Sequence, residues 1–228
     1  MAQLEIRRRT GASCVEENGF CPDWIVENLD RYVDPFLQHV YLTVISVGIG
    51  FAIAAALGIL AHRKRWLSAP FLAITGALFT IPSPAAFLLL LPFTGFGAAT
   101  AIIALVVYTQ VIIFRNVTNG LRNVPAEVVD AARGQGLTDG QILRKVELPL
   151  ALPEILAGLR IAGTSTVGLA TLAFFAGAGG LGEEIESQIN FKSNVAVGGG
   201  LAVLLAAGLD LLILGVQRLA TPWTRAHA

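Results

Sequence analysis

Charge is what this sequence has least of. Asp, Glu, Lys and Arg make up 14% of the 228 residues, where a soluble globular domain carries roughly a quarter. The charges that remain cancel to a formal net of zero, which argues against nucleic acid as a partner. Cysteine is nearly absent as well. Cys14 and Cys21 are the only two, and Cys-x6-Cys with no nearby histidine matches no common zinc spacing. Two readings stay open for them: a disulfide if the N-terminal tail faces an oxidising space, or two free thiols. Catalytic signatures are missing too. There is no G-x-x-x-x-G-K-[ST], H-E-x-x-H or G-x-S-x-G, and His39, His62 and His227 are scattered, so neither an enzyme nor a cofactor or metal site is expected. Gly177-Ala178-Gly179-Gly180-Leu181-Gly182 satisfies G-x-G-x-x-G. It follows a membrane-length apolar run, not a strand, and no acid stands about 20 residues on, so a glycine turn is expected instead of a dinucleotide site.

What is present is apolar. Hydrophobic residues make up 54% of the chain, and a bilayer core needs about 20 of them per helix. Five spans are expected, over residues 40–61, 67–92, 97–114, 155–177 and 195–216. The break between the second and third is placed at Leu91–Gly97, where proline and glycine cluster. Stretches such as "FAIAAALG" and "IAGTSTVG" supply the small residues that let membrane helices pack closely. Residues 1–36 lack the apolar core of a secretory signal and are expected to form an extracytoplasmic tail. Residues 37–228 form the membrane domain.

Lysine and arginine set the orientation. Arg63, Lys64 and Arg65, then Arg115, Arg122, Arg133, Arg144 and Lys145, then Arg218 and Arg225 all fall on one face of a five-span chain. The other face has Arg31 and Lys192 near the membrane and the acidic run Gly182–Ser187. The N-terminus is therefore expected outside and the C-terminus in the cytoplasm. Arg7–Arg9 are discordant, but they lie about 30 residues before the first span, beyond the usual reach of the rule.

Within the spans, Pro82 and Pro84 fall in the middle of the second. A proline break in a membrane survives only where protein or a water-filled path satisfies the freed carbonyls. A pathway position and a packing kink stay equally open. Thr164, Ser165 and Thr166 place hydroxyls in the fourth span, to line a path or to pack. Asp210 in the fifth span is expected to be structural, solvated or paired, with Arg218 about two turns away.

The polar insert "VVDAARGQGLTDGQILRKVELP", Val128–Pro149, is the organised exception. A first helix is expected from an Asn123 cap with Pro125 in its opening turn, ended by Gly134 and Gly136. Thr138-Asp139-Gly140-Gln141 fits a capping box for a second helix, which Pro149 and Pro153 should stop. A DNA-reading helix pair is disfavoured because Glu127, Asp130, Asp139 and Glu147 cancel the basic residues. An amphipathic helix on lipid is the plain alternative. A docking element suits the alanines, which permit close approach.

Asp130-Ala131-Ala132, three residues, Gly136, nine residues, Val146, one residue, Leu148-Pro149 resembles the EAA loop of binding-protein-dependent ABC importer permeases. Asp for Glu and Val for Ile are the only departures from that pattern. The stretches "DRYVDPFLQHVYLTVISVGIGFAIAAALGIL", "FTIPSPAAFLLLLPFTGFG" and the ending "QRLATPW" are similar to the osmoprotectant branch, which moves glycine betaine, choline and carnitine. The resemblance implies an all-α, five-span permease of the bacterial plasma (inner) membrane with a cytoplasmic helical coupling loop over residues 116–153. It implies docking on ABC ATPase subunits, an extracytoplasmic substrate-binding protein, and a second permease copy or paralogue beside it. ATP hydrolysis then resides in a partner chain. Another small zwitterion or an amino acid is the alternative cargo. A stand-alone secondary transporter should show repeated halves or ionisable residues at the midplane, and little of that is present. Few membrane aromatics are available for an ammonium cage, which places recognition in the binding protein.

Overall fold

The computed structural model describes residues 14–225. Among them there is no strand. The helices run in order: α1 Pro22–Glu27, α2 Val33–Arg63, α3 Ser68–Phe79, α4 Ser83–Thr94, α5 Ala98–Arg122, α6 Ala126–Gly134, α7 Asp139–Ile142, α8 Leu148–Ala170, α9 Leu181–Ser187 and α10 Lys192–Ala220. One π-helical turn, Leu143–Glu147, joins α7 to α8.

Three helical segments are long and apolar enough to cross a membrane: Leu29–Arg63, Ala98–Arg122 and Lys192–Ala220. The expected second span at 67–92 is not one helix. It is two, bent by 97°, because Pro82 is held extended as the N-cap of α4 and Pro84 occupies its first turn. The helices over the expected spans at 97–114 and 155–177 have other bounds than those spans. α5 continues to Arg122; the first charge marks no helix end when the following turns still pack. α8 begins at Leu148 and stops at Ala170, followed by a 3-10 turn at Ala173–Ala176. The segment between α5 and α8 thus shrinks from 116–153 to residues 123–147.

α5 is the axis of the bundle, packed against both α2 and α8, which also touch each other. Gly50 and Gly58 of α2 lie so close to α5 that a Cβ would stand 2.0 Å from Thr109 Oγ1 and 2.6 Å from Val117. Small residues permit that approach, and dispersion between close backbones replaces the hydrophobic drive that lipid does not supply. Phe114, Val117 and Leu121 of α5 fill the half of the core nearer residues 123–147 with Ala54, Ala61 and Ile155. Leu105, Ala101 and Phe87 fill the other half with Leu42 and Ala173. α10 packs on the far side of α8 and turns Val203, Leu204, Leu211, Leu212 and Leu219 outward. Aliphatic side chains exposed along a membrane-length helix suit lipid contact.

Candidate functional site

The polar insert is a built shape. Pro125, not Asn123, caps α6; Asn123 instead closes α5, its N–H donating to Asn119 O at 2.9 Å. Pro125 is extended (φ −59°, ψ 133°), as a residue leading into a helix must be. α6 ends at Gly134, and Gly136 takes φ +85°, a left-handed corner open to glycine at little cost. Thr138 and Gln141 close the capping box, with Thr138 N–H donating to Gln141 Oε1 at 2.9 Å. Arg133 bridges Asp130 and Asp139 at 3.4 Å each. All three are exposed, so these pairs orient the corner more than they stabilise it.

Pro149 and Pro153 do not stop the second insert helix. Pro149 stands at the start of α8, and the π turn, whose Leu148 N–H reaches back to Leu143 O, carries the chain through without a break. Ile142 and Leu143 are buried at 2% and 5% exposure, and Leu143 joins the core beside Val117 and Leu121. His62 at the end of α2 meets Glu147 of the π turn at 3.1 Å. Arg122 at the end of α5 donates to Ser68 Oγ of α3 at 2.9 Å. The insert is therefore fastened to the adjoining ends of α2 and α5.

The residues of the EAA-like pattern do not share one face. Asp130, Ala131 and Gly136 are exposed, Ala132 is buried at 7%, and Val146, Leu148 and Pro149 are half-buried. Ala131 and Gly136 offer a small outward surface, whereas Ala132 packs inward.

The other candidates separate as well. Ile81 O, freed by the proline break, accepts from Tyr108 Oη, so protein rather than water satisfies it. Thr166 is buried and donates to Ala162 O at 2.7 Å. Thr164 is half-buried and bonds Arg160 O at 3.0 Å; Ser165 is half-buried beside it. Asp210 pairs not with Arg218 but with Arg160, in a two-pronged contact of 2.8 and 2.7 Å. The sequence marks both charges but not their partnership, because 50 residues separate them.

At the opposite end of the bundle, Cys14 and Cys21 form a disulfide. Cys21 N–H donates to Ser193 Oγ at 2.6 Å, and Ser193 Oγ donates to Gly19 O at 3.2 Å. Arg31 pairs with Glu184, and Tyr32 Oη donates to Asn194 Oδ1 at 2.6 Å. The tail is thus clamped to α9 and α10. The G-x-G-x-x-G run is a turn between the 3-10 segment and α9, with Gly177, Gly179 and Gly180 at φ +64°, +75° and +89°. Gly182 lies against Thr171 O, where a Cβ would stand at 1.7 Å. These glycines serve packing.

Residues 48–225 match the family described as "binding-protein-dependent transport system inner membrane component". The chain is 35% identical over 206 residues to the osmoprotectant import permease protein OsmW of Salmonella typhimurium, covering 87% of this chain and 96% of that one. It is 34% identical to the carnitine transport permease protein OpuCB of Listeria monocytogenes, covering 78% and 82%. It is also 34% identical to the choline transport system permease protein OpuBB of Bacillus subtilis, covering 81% and 86%. Among solved structures it is similar to an inward-facing MetNI methionine ABC transporter, at TM-score 0.73 and 27% identity over 86% of this chain and 98% of that one.

Proposed function

The chain belongs to the family of binding-protein-dependent transport system inner membrane components, and from that premise we propose that it is the permease of an importer for betaine-like osmoprotectants. Membership makes it a membrane transport subunit, not an enzyme, with an ATPase and a substrate-binding protein as partners of the assembly. The cargo reading rests on relatives named for osmoprotectants, carnitine and choline at 34–35% identity over most of the chain. Amino-acid cargo is the second reading, favoured by the likeness to the methionine transporter.

Five membrane passes fit the three long apolar helices, the bent α3–α4 pair and α8. The insert, residues 123–147, then lies in the cytoplasm as the coupling loop, and Ala131 and Gly136 contact the ATPase. What carries this reading is the conjunction of the EAA-like spacing with an exposed, rigidly attached knob. ATP-driven closure of the ATPases pushes the knob, and α8, continuous with it through the π turn, transmits the push into the bundle. A second permease copy or paralogue completes the pathway. The N-terminal tail lies outside, which the disulfide supports, since such bonds persist in oxidising compartments.

Uptake is the deciding measurement. Proteoliposomes holding the chain, its ATPase and its binding protein should accumulate choline, glycine betaine or carnitine only with ATP. Accumulation of methionine alone would replace the cargo reading. Orientation has its own check. In intact cells the wild type should react with an impermeant maleimide only after reduction, at Cys14 and Cys21. Reaction only after the membrane is opened would reverse the orientation.

A further inference from the structure

α5 and α8 carry four charged side chains, Arg115, Arg122, Glu154 and Arg160. Arg122 bonds Ser68 and Arg160 bonds Asp210. Among the described residues, the Arg115 and Glu154 side chains have no hydrogen bond or ion pair. Both are exposed. Arg115 stands seven residues from the inner end of α5 and Glu154 six residues from the start of α8, so each lies about 10 Å along its helix. Both stand at the ends of the apolar runs of two neighbouring helices, at a similar height.

The packing places the two on one wall. α5 and α8 run antiparallel, with a Cβ on Gly158 falling 2.4 Å from Asn116 Cβ and one on Gly120 falling 3.0 Å from Glu154 Cβ. α2 covers one flank of this contact, through Val117 and Thr118 against Gly58. The opposite flank is uncovered, and Arg115, Asn119, Glu154 and Ile161 lie along it. It differs in kind from the uncovered faces of α2 and α10, which show Val44, Ile49, Ile53, Val203, Leu204 and Leu211. Two greasy faces and one charged face on the same bundle distinguish lipid from water.

We infer that the uncovered α5–α8 flank is the wall of the translocation pathway and that Arg115 and Glu154 are a solute-contacting station in it. The ligand class is a small solute carrying a fixed cation, with or without a carboxylate: Glu154 meets the cation and Arg115 the carboxylate. This rests on the permease reading above, and it adds a recognition site within the permease to the one in the binding protein.

Two measurements test it. The described residues contain no free cysteine, so an introduced one is the reactive thiol once the cystine is left oxidised. In inside-out vesicles of cells making the whole transporter, Asn119→Cys and Ile161→Cys should react with an impermeant cationic methanethiosulfonate roughly tenfold or more faster than Leu204→Cys and Leu211→Cys, because thiolate forms in water and not in lipid. Ile161 is 52% exposed and Leu211 65%, so exposure alone predicts the opposite order. Equal or reversed rates overturn the wall. For the station, Arg115→Gln should lower glycine betaine uptake roughly tenfold or more, the worth of a charge-assisted hydrogen bond, and leave choline, which lacks a carboxylate, within about twofold. Arg115→Lys should retain betaine uptake, and Glu154→Gln should lower both solutes. Equal losses for both solutes in Arg115→Gln, or none, overturn the station. A wild-type complex that moves neither solute refutes the cargo reading, while the labelling still decides the wall.

Discussion

Ala131→Glu is expected to abolish co-purification of the ATPase while the permease still accumulates in the membrane. Ala131 is exposed on α6, so a larger side chain there can extend into solvent. A carboxylate forced into the partner's groove must lose water without gaining a counter-charge. Such a buried, unmatched charge costs about 2–5 kcal/mol, roughly 30-fold to a few thousandfold in affinity. Affinity purification of tagged permease, with ATPase content read on a gel, checks the association. Ala132→Glu is the instructive contrast, because Ala132 is buried against its own chain. That variant should lower the amount of folded permease as well as its ATPase content. An intact, active complex in Ala131→Glu would remove the insert from the interface. Gly136→Ala should weaken coupling more mildly, since alanine at φ +85° is strained by about 1–2 kcal/mol.

Replacing either Arg160 or Asp210 by leucine should sharply reduce folded protein, and replacing both should restore much of it. The guanidinium and carboxylate meet in a two-pronged contact, the geometry in which such pairs are strongest and most directional. They tie α8 to α10 within apolar stretches, about two turns farther from the insert than the Gln217 Nε2 to Pro153 O bond at 3.2 Å. Removing one partner strands a charge among aliphatic side chains; removing both leaves only packing, which leucine supplies. Membrane accumulation and the aggregation temperature of the solubilised protein, measured on the two singles and the double, form the required cycle. Additive losses would show that the residues act separately and that the pair is incidental.

The helical class, the apolar content and the insert were legible in the chain because each is a local property. Composition points to the membrane, the spacing from Asp130 to Pro149 resembles the EAA loop, and the capping box at Thr138 and Gln141 formed as its residues require. Span boundaries were less legible. The chain shows where charge begins, at Arg115 and Glu154, but helix ends follow hydrogen bonds and packing, so α5 and α8 both run past those charges. Proline meaning also depended on context: Pro82 breaks a helix, whereas Pro149 merely opens one.

By itself, then, the sequence determined the membrane class, the polar knob and the residue types at each station, because hydropathy, turn chemistry and spacing act over a few residues. Only the tertiary structure decided which stations meet. It turned Ala131 outward and Ala132 inward, joined Arg160 to Asp210 across 50 residues, and left Arg115 and Glu154 uncovered on one flank. Those outcomes depend on the angle and register at which α2, α5, α8 and α10 pack. Close contacts between distant glycines and their neighbours set that register, and no local pattern encodes it.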